Sequence, residues 1–189
     1  MDRGNMTNPV ETFISCILQN DSDLEQMAWH EAGHRTMWRL LCPEQPTNYR
    51  WREDGLPACM PDHPKNIKIA SLSTKDAGTM CAIKLGGIAA EMLKLGIQDG
   101  IDVIADWIAG DWCAGEKSRL DWDDDIKDGG DISGAIRIIE FHGAANRGTI
   151  KVNLSQKLAA ITGILQNSPE FQEEKQEALT FFKSAKARK

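Results

Sequence analysis

Two histidines four residues apart, His30 and His34, separated by Glu31, Ala32 and Gly33, constrain this chain more than any other stretch. Residues four apart share one face of an α-helix, so both imidazoles can turn a ring nitrogen toward the same point, with Glu31 beside it. The flanks supply the helix. Ser22 with Glu25 reads as a capping box, Leu24, Met27, Ala28 and Trp29 lead in, Met37, Trp38, Leu40 and Leu41 follow, and Pro43 stops it; this predicts one helix from about Asp23 to Leu41. Ala32 and Gly33 leave room for another helix or an extended strand to come close. A Gly inside a helix costs about 1 kcal/mol relative to Ala, so its place between the histidines argues against a merely solvated face.

The spacing is that of a zinc site. Neutral imidazoles bind zinc at about 2.0–2.1 Å, and a catalytic site needs one further protein ligand and an open position for water. Glu91, Asp125, Asp128 and Asp131 are the carboxylates that could complete the set. The longer three-histidine zinc motif does not fit, because Met37 and Leu40 stand where its Gly and third His would be. Glu31 is expected to be the general base: zinc brings the pKa of a bound water toward about 7, and Glu31 takes its proton and passes it to the leaving amine. Glu91 lies in the apolar run Ile88-Ala89-Ala90-Glu91-Met92-Leu93, where an unpaired charge is expensive to bury. It therefore needs a partner, as a metal ligand, as an acceptor for the second ring N–H of a ligand histidine, or in a salt bridge across a bundle.

The remaining sequence reads as helices joined by Pro- and Gly-rich connectors. Asn8 and Pro9 open a first amphipathic helix with Val10, Phe13, Ile14, Ile17 and Leu18 at helical spacing. The stretch from Cys42 to Pro64 holds five prolines and reads as a long loop with one irregular strand, and Ile67, Ile69 and Leu72 alternate as a short strand. Ser73 and Asp76 open a helix whose apolar residues run almost all round and which ends at Gly96, so it should be buried. Further helices are predicted over Ile101–Trp112, from Asp131, around Leu158, Ile161 and Leu165, and from Ser168-Pro169. The acidic run Asp121 to Asp128 fails the calcium-loop pattern, since Ile126 and Ile132 occupy its Gly and Glu positions. His63 and His142 are expected to be a loop residue and a helix-end residue.

At 189 residues the chain is long enough for one domain with its own core. A net charge of −6 disfavours nucleic acid and anionic membranes, although Lys183, Lys186, Arg188 and Lys189 make the end locally basic. Five cysteines without paired metal spacing, and no recognisable signal peptide, fit reduced thiols in a cytoplasmic compartment. No apolar run approaches the roughly 20 residues of a membrane span.

With both helices placed, the chain resembles the peptidase domain of the FtsH family of ATP-dependent zinc metalloproteases (peptidase M41-like). The residues that carry the resemblance are His30-Glu31-Ala32-Gly33-His34, then Leu85-Gly86-Gly87-Ile88-Ala89-Ala90-Glu91, then Asp131-Ile132 with Ala135, in that order. The resemblance implies that Asp131 is the third zinc ligand beside His30 and His34 and that the Gly-Gly helix packs beside the metal helix; the apolar setting of Glu91 then favours it as the acceptor behind a ligand histidine, with direct ligation the alternative. Asp125-Ile126 is a second register for the Asp. The family's AAA ATPase module and usual membrane anchor are not found in these residues; Gly110-Asp111-Trp112-Cys113-Ala114-Gly115-Glu116-Lys117-Ser118 fails as a phosphate loop because Glu116 intrudes before the Lys. Residues 97–130 read as an insertion relative to that family, and 151–189 as C-terminal helices.

The expectation is a mainly α, helical-bundle zinc-peptidase domain over residues 1–189, with a small irregular β element and the inserted segment. It would hydrolyse peptides or unfolded protein segments, with an AAA ATPase as a partner for folded ones. The alternative is a non-catalytic zinc-binding module of the same build that acts in binding or assembly beside a protease; the presence of Glu31 weighs against it. A metal hydrolase of a non-peptide bond has the same motif.

Overall fold

A computed structural model describes Val10, Glu11, Phe13, Ile14 and residues 23–53, 55–61, 72–115, 131–143 and 146–186. Among these the fold is mainly α, with six helices and one small sheet. The histidine helix, α1, spans Leu24–Leu41. Its N-cap is Asp23, where a Ser22–Glu25 box was expected: Asp23 Oδ1 accepts the Gln26 N–H at 2.6 Å and also faces Lys94 Nζ at 3.2 Å. A carboxylate at this position serves the helix end and a second helix together. The far end closes through the Cys42 N–H, which donates to Trp38 O at 2.8 Å.

The proline-rich stretch after α1 is a two-stranded antiparallel hairpin, where one irregular strand was expected. Strand β1 (Thr47–Trp51) pairs with β2 (Pro57–Pro61) in the register Thr47↔Pro61 to Trp51↔Pro57. Alternation explains how the prolines fit. Pro57, Cys59 and Pro61 share one parity, so the ladder with β1 draws on Ala58 and Met60, and the missing proline donors are not needed. The Cys59 N–H, of that same outward parity, donates to Glu31. Gly55, at φ 83°, makes the turn, in which the Arg52 N–H donates to Leu56 O. The short strand expected at Ile67 and Ile69 lies outside the described residues, as do Asn8, Pro9, Ile17 and Leu18 of the first helix. Val10, Glu11, Phe13 and Ile14 are helical, and Phe13 is fully buried.

Helix α2 (Thr74–Leu95) starts at the Ser73 cap and stops at Gly96 in the left-handed conformation, φ 67°. It is the central element, packed on α1, α4 (Asp131–Phe141) and α5 (Arg147–Asn167). A short 3-10 turn, Gln98–Gly100, leads into α3 (Ile101–Cys113), which buries Ile104, Ala105, Ile108 and Ala109 against α5. Gly110–Cys113 is thus helical, not a phosphate loop. α6 (Pro169–Lys186) lies on the other side of α1, where Trp29 meets Phe171 edge to face at 5.7 Å and Lys175 Nζ sits 4.0 Å from the Trp29 ring. The hairpin joins this side through Tyr49 and Trp51 against Phe182. No helix among the described residues is long and apolar enough to cross a membrane.

Candidate metal centre

Glycines bring the histidine helix and the Gly-Gly helix into backbone contact. A Cβ on Gly33 would stand 2.2 Å from Gly86 O, and one on Gly86 would stand 2.8 Å from Gly33 O. No other residue fits at either position without separating the helices. α2 runs through Gly86 and Gly87 as one continuous helix, so close approach rather than a kink explains the pair. Gly87 has a different role: a Cβ there would lie 2.5 Å from His30 Nε2 and 2.6 Å from His34 Nε2. Its bare backbone leaves the two imidazole rings the room that a side chain would take.

Three ligand-type atoms converge in front of Gly87. His34 Nε2 lies 2.9 Å from His30 Nε2, and Asp131 Oδ2 lies 2.9 Å from His34 Nε2 and 3.2 Å from His30 Nε2. Tetrahedral ligand atoms at 2.0–2.1 Å from a common ion are about 3.3 Å apart, so the spacing is close to what such a set requires. The other nitrogen of each ring is already committed. Ile83 O lies 2.7 Å from His34 Nδ1, and Glu91 Oε1 lies 2.5 Å from His30 Nδ1. Each acceptor favours the tautomer with the proton on Nδ1, which turns the Nε2 lone pair toward Asp131. His30, His34 and Asp131 together could hold a metal ion.

The electrostatics agree that this point favours positive charge. Burial disfavours an imidazolium at His30, yet Asp131 and Glu91 outweigh it and raise the His30 pKa well above the ordinary value. His34 is raised against the same burial cost, chiefly by Asp131. Asp131 is held well below the ordinary carboxylate range: burial works against its charge, but His34, His30 and Lys84 prevail. Metal competes with protons for such a set.

Glu31 is not among the three converging atoms. It follows His30 on α1, and its Oε2 accepts the Cys59 N–H at 2.5 Å, so β2 fixes the carboxylate. Burial pushes the Glu31 pKa up, with His30 and His34 pulling it back. A carboxylate so held, beside three ligands, binds a proton more readily than one in water.

The structure thus brings together His30, His34 and Asp131, with Glu91 behind His30 rather than in the ligand set. Gln26 Nε2 donates to the second Glu91 oxygen at 3.0 Å, so both oxygens of this buried carboxylate have partners. Asp125 and Asp128 lie outside the described residues, as does His63. His142 sits past the end of α4, where its N–H donates to Ile138 O. Sequence reasoning missed Gln26, the Ile83 carbonyl, Lys84 and the Cys59 amide. Gln26 could have been found as the residue one turn before His30, and Lys84 as the lone charge between Asp76 and Glu91. Backbone partners carry no side-chain signal. Comparisons with protein-family models, curated proteins and solved structures find no match for this chain.

Proposed function

We propose that the chain is a zinc-dependent metallopeptidase of FtsH type, hydrolysing peptide bonds in peptides or unfolded protein segments. The observation that carries the reading is the pairing of a three-ligand set, His30, His34 and Asp131, with a fixed carboxylate, Glu31, on the same helix. Two imidazoles and one carboxylate leave a fourth position of a tetrahedral ion open, which is the composition of a catalytic rather than a structural zinc site. The resemblance in order and residue type from His30 to Ile132 points the same way. Zinc held there supplies Lewis acidity, polarising a carbonyl and bringing ionisation of water toward neutral pH. Glu31 takes the proton of the attacking water and delivers it to the leaving nitrogen; Glu91 and Ile83 O keep the imidazoles oriented; Asp131 supplies the anionic ligand. An AAA ATPase partner would extend the activity to folded proteins, which otherwise expose cleavable segments only through their own local unfolding.

The second reading is a zinc-binding module without catalysis, in which the bond from the Cys59 N–H makes Glu31 a structural group instead of a reacting one. Glu31→Gln separates the two. Purified protein loaded with zinc should cleave casein or an unstructured peptide library without nucleotide, and Glu31→Gln should keep its zinc while losing about 10²–10⁴-fold in rate. Equal cleavage by both proteins would mean a contaminant. Absence of cleavage by wild type, repeated with AAA ATPases added, would leave the binding module.

A further inference from the structure

We infer that Lys84 is a positioning residue for Asp131, holding the carboxylate so that one oxygen alone faces the two imidazoles. The inference rests on the metal-centre reading above. Lys84 is the lone charged residue of α2 between Asp76 and Glu91, and its side chain is largely buried. The stem crosses onto α4 at Gly134: a Cβ there would lie 2.6 Å from Lys84 Cε, 2.7 Å from Cδ and 2.9 Å from Nζ. Glycine at 134 is what lets the lysine lie down between the helices. The ammonium then stands 3.7 Å from Asp131 Oδ1, on the carboxylate oxygen that does not approach the histidines.

Charge decides what this arrangement does. A carboxylate that gripped a divalent ion with both oxygens would draw that ion toward the Lys84 ammonium, and like charges so close repel. With Oδ1 on the ammonium and Oδ2 toward the ion, both cations are satisfied by one carboxylate. Asp131 is thereby kept a one-oxygen ligand, and a coordination position stays open for water or substrate. The same pairing fixes the χ angles of Asp131 before metal arrives, as an outer partner of a ligand does.

Two substitutions test this from opposite sides. Lys84→Met keeps an unbranched stem over Gly134 and removes the charge; Gly134→Ala keeps the charge and displaces the stem. Both are made in the full chain and loaded with Zn²⁺, for affinity against a competing chelator, or with Co²⁺, whose visible spectrum reports coordination geometry. Both variants should differ from wild type in Zn²⁺ affinity by about 10–100-fold. Co²⁺ should move from a four-coordinate to a five-coordinate spectrum, and Lys84→Arg should restore the wild-type spectrum. Metal-free melting curves identify a variant that fails to fold; in that event the other decides. Wild-type affinity together with a four-coordinate spectrum in Lys84→Met overturns the inference while leaving the metal centre intact. A wild-type protein that takes up neither ion overturns the metal centre, and the role of Lys84 with it.

Discussion

α1 carries two polar clusters about a turn apart, and they are built on opposite principles. At one, Glu174 of α6, fully buried, receives Arg39 Nη1 at 2.5 Å, Arg35 Nη1 at 3.1 Å and the Tyr49 hydroxyl at 2.8 Å, while Glu177 takes Arg35 at 2.6 Å. Donors and acceptors there match in kind: guanidinium and phenol donate, carboxylates accept, and α1, α6 and β1 are tied together. At the other, two Nε2 atoms and Asp131 Oδ2 face one another, all of them acceptors once each ring proton is drawn to Nδ1. In the closed cluster opposite charges satisfy one another, apart from the buried Arg35 Nε, which has no hydrogen-bond partner, whereas a convergent set of lone pairs needs a cation or protons. The first arrangement holds the fold, and the second is suited to chemistry.

The two clusters part most sharply at Gly87. The Cβ of Gly87→Ala would stand within 2.6 Å of both Nε2 atoms, so we expect this variant to lose tight zinc binding, with a fall in occupancy visible by elemental analysis. The melting temperature of the metal-free protein should change little, because α2 gains helix propensity of about 1 kcal/mol to offset local strain. Full zinc occupancy in the alanine variant would contradict the site's geometry.

Glu174→Ala should do the reverse. It leaves half-exposed Arg39 without its acceptor and Arg35 with Glu177 alone, at a cost of about 1–3 kcal/mol in unfolding free energy by denaturant titration. Zinc affinity of the molecules that remain folded should stay within a few-fold of wild type. A large loss of affinity instead would mean that the two clusters are coupled along α1.

pH separates them more gently. The His30 pKa is raised in the metal-free fold, so its contribution to stability is complete below the unfolded value near 6.5 and disappears as pH rises through the folded value. Zinc affinity runs the other way: protons leave the imidazoles as pH rises, so binding strengthens, and on acidification it begins to weaken above pH 6.5. At the closed cluster, burial opposes the charge of Arg35, but Glu177 and Glu174 outweigh it, and burial with Glu174 raises Tyr49, so neither titrates near neutrality. Calorimetric melts from pH 5.5 to 8.5, with and without zinc, should show opposite slopes. Parallel slopes would remove the histidines as the source.

Much of the helical framework is legible because its signals are local. Ser73, Gly96 and Pro169 mark helix ends where capping chemistry places them, and the apolar run from Met80 to Met92 gives the central helix before any packing is known. The hairpin was harder. Five prolines argue against strands until the parity of the two within β2, Pro57 and Pro61, is seen, and parity depends on which edge pairs with β1. The contact of the Asp23 cap with Lys94, a residue 71 positions away, is likewise a tertiary one.

The histidine pair and its neighbour need no packing to be read: four residues make about one helical turn, so His30 and His34 share a face in any helix that contains them. The sequence also offered the carboxylates from which a third ligand could come, without ranking them by geometry. Only the tertiary structure brought Asp131, 97 residues from His34, within 2.9 Å of its Nε2, placed Glu91 behind His30, and laid Lys84 across Gly134. The reason is physical. Spacing along a helix follows from backbone hydrogen bonds a few residues apart, whereas the meeting of α1, α2 and α4 follows from how closely Gly33 and Gly86 let two backbones approach, a property of surfaces that exist only after the chain has packed.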